Sequence, residues 1–102
     1  MNYIDELARY IYSAAEPDSP PDKWLEDANL YRMYAVLLLA KGTDVTDEDV
    51  HNAWSAWACE SNGTHPSLVP FCQLETRIQE YDRPYTAAIH RVAATMISSG
   101  GL

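Results

Sequence analysis

Basic residues are scarce in this sequence: seven Lys and Arg stand against 15 Asp and Glu, a formal charge of -8. That balance repels a phosphate backbone at long range, so DNA and RNA are excluded as general partners, while one small phosphate can still meet a local Arg. Glycine is equally scarce, at four residues, and two of these are Gly100 and Gly101. No glycine-rich phosphate loop and no nucleophile elbow is present, which argues against the common nucleotide hydrolases and serine hydrolases. Long apolar runs are missing. The longest, Ala35 to Ala40, falls far short of the roughly 20 residues that span a bilayer, so no membrane is expected as partner. The start, Met1 to Glu6, has neither the basic stretch nor the apolar run of a signal peptide, and a cytoplasmic location is expected. The two cysteines, Cys59 and Cys72, are then expected as reduced thiols. By the same reasoning Asn62-Gly63-Thr64 is a turn signal rather than a glycosylation site.

What is present suffices for one domain. The 102 residues are 47% apolar and include three Trp and seven Tyr, enough for a core without metal or disulfide staples. The periodicity predicts a mainly α protein, a compact bundle of about four helices with a short extended segment crossing the core. A first helix is expected over residues 2–15, with Ile4, Leu7, Ala8, Ile11 and Ala15 on one face. The prolines at 17, 20 and 21 end it. A second helix is expected from about Asp22 or Lys23 to Ala40, with Trp24, Leu25, Leu30, Tyr31, Tyr34, Leu37 and Leu38 inward and Lys41-Gly42 as its stop. Its dense run Ala35 to Leu39 makes it the central helix. The third has the clearest start: Thr46 with Asp49 resembles a capping box, and Asp47, Glu48 and Asp49 favour the positive helix end. It should reach about Glu60, with Val50, Trp54 and Trp57 on one face. Residues 64–71 carry two prolines and read as extended. A short helix or turn over 73–80 precedes a last helix from Pro84 to about Ile97, with Ala88, Ile89, Val92, Ala93 and Met96 inward.

Few constellations carry chemistry. His51, Cys59, His65, Cys72 and His90 are candidate metal ligands, yet no two stand at the close spacing that prearranges a site, so neither metal nor cofactor is expected. The acids from Asp44 to Asp49 lack an EF-hand pattern and are better read as helix capping. His51, Trp54, Trp57 and His65 can line a pocket that stacks a planar ligand. The plainer alternative is that one Trp is core and the other covers it.

The run Val50-His51-Asn52-Ala53-Trp54, then His65-Pro66-Ser67-Leu68-Val69-Pro70-Phe71, then Leu74, then Glu80-Tyr81-Asp82-Arg83 resembles the ryanodine-receptor repeat domain (RyR domain). The resemblance covers residues 46–98, dividing the single domain into an N-terminal helical pair (1–45), a repeat-like unit (46–98) and a tail (99–102). It implies a structural motif made of Pro66, Leu68, Val69, Pro70, Phe71, Leu74 and Tyr81. Leu30 to Val36 with Ala40-Lys41-Gly42 is similar to small proteins of actinobacteria and their phages, which implies a phage or prophage origin and the host cytoplasm as location. Members of the RyR family carry a Gly-Trp-x-Tyr-Gly insert before the His-Pro segment, where this chain has only residues 58–64. In the channel repeats that region helps to form an adenine-nucleotide pocket.

The resulting expectation is a non-enzymatic module that binds a small nucleotide-derived ligand and sequesters or senses a host signal. Its binding residues would be His51, Trp54, Trp57 and His65, with Arg83 or Arg91 meeting a phosphate. The alternative is a protein–protein interaction module without a small-molecule ligand, a homodimer or a host-protein binder, using Tyr3, Tyr10 and Tyr12 as exposed contacts. In either case the motif can act as a staple, its prolines setting the path and His65 and His51 holding it by hydrogen bonds.

Overall fold

The computed structural model describes residues 2–98, and the expected tail 99–102 lies outside them. Four long helices form the molecule: α1 (Tyr3–Ala15), α2 (Ala28–Lys41), α3 (Asp47–Ser61) and α5 (Arg83–Ser98), with the single-turn α4 (Thr76–Gln79) between the last two. No strand occurs among the described residues. The fold is thus the mainly α bundle that the periodicity predicts, with a radius of gyration of 13.4 Å, as expected for a compact chain of this length.

Local chemistry explains each boundary. Asn2 caps α1, its side-chain oxygen accepting the Asp5 N–H at 2.8 Å. The prolines that follow α1 then force a different geometry. Pro21–Asp27 is a 3₁₀ segment, and the α-helix begins only at Ala28, later than expected. With about three residues per turn instead of 3.6, this segment does not continue the apolar face of α2. Trp24 is buried at 3% exposure, whereas Leu25, expected inward, is 60% exposed. α2 ends at Gly42, whose φ of 56° favours a residue without Cβ. Thr46 and Asp49 form the expected capping box on α3, each side chain accepting the other residue's backbone N–H.

α2 packs against α1, α3 and α5 and is the central helix. One apolar core draws on both halves of the chain: Ile11 of α1, Tyr34 of α2, Val50 of α3 and Ile89 of α5 are its largest fully buried side chains. Burying each such group contributes roughly 1.5–3 kcal/mol. Tyrosines line one flank of the core. Tyr12, Tyr31 and Tyr34 meet edge to face, with ring centres 5.3 and 5.7 Å apart. Their hydroxyls need partners in a dry setting. Tyr12 donates to the Pro20 carbonyl at 2.7 Å, and Tyr31 donates to the Glu16 carboxylate. Tyr12 is therefore a core residue at 2% exposure, not the surface contact expected from its neighbours Tyr3 and Tyr10, which are exposed. It lies four residues after Ala8, one turn along the buried face of α1.

Residues 65–70 are non-helical, as their prolines require, and they fold as turns rather than a straight crossing. The His65 N–H donates to the Asn62 carbonyl and the Leu68 N–H to the His65 carbonyl. No residue of the segment is fully buried. It lies over α3 as a partly exposed cover.

Candidate ligand-binding cleft

A cleft of about 420 Å³ opens between α2, α3 and the segments that follow α3, a size suited to one small organic molecule. On α3, His51, Trp54 and Trp57 recur every third residue, so they form a ridge beside the core-facing Val50 and Ala53. Leu30 and Tyr34 contribute from α2, with Asp27 just before it. His65 and Ser67 close one side, and Leu74, Ile78, Tyr81, Asp82 and Tyr85 the other. Four of the six ligand-binding residues expected from sequence are thereby brought together.

The rings form a connected series. His51 stacks on Trp54 with centres 5.8 Å apart and planes at 23°, and Trp54 meets His65 edge on at 5.0 Å. His51 is held from two directions. Its Nε2 donates to the Val69 carbonyl at 2.7 Å, and its Nδ1 faces the Asp82 carboxylate at 4.0 Å, too far for a direct hydrogen bond. His65 plays the converse part: its Nδ1 accepts the Ser67 N–H at 3.0 Å, which leaves the proton of the neutral ring on Nε2. The third histidine, His90, donates to the Val45 carbonyl at 2.6 Å and ties α5 to the turn after α2.

Of the lining residues that the sequence does not mark as a site, which include Asp27, Tyr34 and Tyr85, Asp82 has the most unusual setting. Its side chain is 14% exposed, and no hydrogen bond from the described residues reaches its carboxylate. Burial pushes its carboxyl up to about 6, with His51 pulling down and Asp47 pushing up. The tyrosine hydroxyls of Tyr34 and Tyr85 on the same wall are also raised, chiefly by burial. Asp82 carries no local signal, because it follows the exposed Tyr81 in a short 3₁₀ segment and is shielded only when distant parts of the chain close around the cleft.

The two expected phosphate ligands lie elsewhere. Arg83 pairs through Nε with Asp47 at 3.0 Å and is largely exposed. Arg91 lines a separate groove between α1 and α5, together with Tyr3, Glu6 and Tyr10. Thus no Lys or Arg lines the cleft, which carries Asp27 and Asp82 instead. Of the motif residues, Leu74 and Tyr81 line the cleft. Val69 anchors to His51, and Phe71 lies 6.0 Å from the His51 ring and accepts through its carbonyl from Gln79 Nε2 at 2.9 Å. Leu68 is partly buried, and Pro66 and Pro70 are exposed. Cys59 and Cys72 are free, exposed thiols. Among the described residues no three His, Cys, Asp or Glu side chains gather as a metal site, and no helix is long and apolar enough to cross a membrane.

Fold and cleft together define a small all-helical domain with an aromatic, acid-bearing cavity on one flank. The chain belongs to the DUF7701 family, a domain of unknown function, whose profile matches residues 2–94 and so spans both halves of the bundle. No curated protein and no solved structure matches it.

Proposed function

We propose that this protein is a non-catalytic binding module, of the ryanodine-receptor-repeat type, whose cleft holds a small planar nitrogenous ligand such as the base of a nucleotide-derived molecule. The observation that supports this reading is the convergence of Trp54, Trp57, His51, His65, Tyr34 and Tyr85 on one cavity of about 420 Å³. Flat rings of this kind stack on heterocycles of many sequences and types. With Arg83 and Arg91 outside the cavity, a phosphate on the ligand would project to solvent. In a phage-encoded protein acting in the host cytoplasm, such binding would sequester or sense a host signal. Calorimetric titration with nucleobases, nucleosides, nucleotides and cyclic nucleotides tests the reading. Saturable heat from at least one base-containing compound is expected, and silence across the panel at millimolar concentration would sink it.

A second reading, homodimerisation, is favoured by the groove between α1 and α5. Tyr3 and Tyr10 are 62% and 51% exposed beside it, and Glu6 and Arg91 share its walls. A two-fold contact would set Glu6 of one copy against Arg91 of the other. Light scattering at rising concentration should give the dimer mass for the native chain and the monomer mass for Arg91→Glu. A native monomer throughout would remove the idea.

A further inference from the structure

The cleft has an unbalanced electrostatic character. Its walls are aromatic, its two carboxylates are Asp27 and Asp82, and no Lys or Arg lines it. The Asp82 carboxylate is largely desolvated, has no hydrogen bond from the described residues, and stands 4.0 Å from the nearest ring nitrogen. A half-buried carboxylate with no protein donor, facing an aromatic cavity, keeps its lone pairs available to N–H groups of a ligand. The surrounding rings present electron-rich faces that attract cations. Beyond the cavity, the chain's charge of -8 adds to the same field.

We infer that the cleft selects a planar organic cation of the amidinium or guanidinium class, with Asp82 as its anion and Trp54 as its stacking surface. This rests on the reading of the cavity as a ligand site, and sharpens it from planar heterocycle to planar cation. Contacts order the groups as Asp82, His51, Trp54 and His65. A flat ligand lying along this series directs its N–H groups at the Asp82 end, where a planar fork and a carboxylate match in geometry. At the other end, His65 offers its Nε2–H to an acceptor on the ligand. Anionic ligands meet two carboxylates and no Lys or Arg. The raised titration of Asp82 is consistent with this, because a bound cation would offset by its charge the desolvation that raises it.

The test uses probes of one shape and three charges: benzamidinium, benzamide and benzoate, with adenosine and AMP alongside. Titrations followed by the indole N–H signals of the native protein report both affinity and place. Benzamidinium should bind about tenfold or more tightly than benzamide, with benzoate silent, and Asp82→Asn should abolish the difference between the first two. Benzoate or AMP binding as tightly as benzamidinium, or Asp82→Asn leaving the preference intact, would overturn the inference. Adenosine binding without any benzamidinium response would overturn it too, while leaving the cavity a ligand site. Silence from all five probes would remove both. Circular dichroism of Asp82→Asn confirms the fold of the variant.

Discussion

His51 Nε2 donates to the carbonyl of Val69 across 2.7 Å, joining the middle of α3 to the irregular segment that covers it. The histidine is 3% exposed and stacks on Trp54. One side chain thus fixes both the cover and the aromatic wall of the cleft. His51→Ala leaves the Val69 carbonyl unpaired and opens a cavity. It should destabilise the protein by about 2–4 kcal/mol. Hydrogen exchange localises the effect: the Ser67 and Leu68 amides, bonded to His65, should lose protection before the core helices do. Equal loss in α1 would contradict this role.

Asp82 makes stability depend on pH in a distinctive direction. Burial pushes its carboxyl up to about 6 in the folded protein, from the ordinary 3.8. The folded chain therefore binds this proton more readily than the unfolded chain. The resulting stability is complete below the ordinary value and is lost as pH rises through the folded one. Asparagine mimics the protonated form. Asp82→Asn should melt higher than the native protein at pH 7.5, by roughly 1–2 kcal/mol, and the two should converge towards pH 4. Thermal melts across that range decide it, since the difference between the two proteins cancels the other carboxylates.

Thr46 and Asp49 satisfy two backbone N–H groups at the start of α3, at 3.1 and 2.9 Å. Thr46→Ala removes one of these bonds and should cost about 1 kcal/mol, whereas Thr46→Ser should cost a few tenths at most. Denaturant unfolding of the pair measures this directly.

Trp24 and Leu25 are neighbours with opposite fates, at 3% and 60% exposure. Trp24→Ala should lose about 3–5 kcal/mol, and Leu25→Ser less than about 0.5 kcal/mol. A large loss from Leu25→Ser would mean that the α-helical face extends back through residues 21–27, contrary to the 3₁₀ geometry.

Much of this fold is legible locally. The spacing of Leu7, Ala8 and Ile11, the Thr46–Asp49 cap, the Gly42 stop and the prolines at 17, 20 and 21 each act within a turn or two of chain. Helix start, stop and inward face therefore follow from the residues themselves. Where local cues ran out, the error had a physical cause. Leu25 fits a 3.6-residue period, but the prolines of its segment impose a shorter one, and Tyr12 sits among exposed tyrosines, but its hydroxyl finds Pro20.

The candidate site divides in the same way. Spacing marks His51, Trp54 and Trp57 as neighbours, because rings at three-residue intervals on one helix share a ridge, whereas His65 joins them from outside α3. Only tertiary packing decided what that ridge faces. Arg83 pairs with Asp47 and Arg91 lines the far groove, while Asp82 lies against His51 and is mostly shielded from water. Charge and desolvation at a cavity depend on which distant segments meet there, and no local pattern in the chain encodes that meeting.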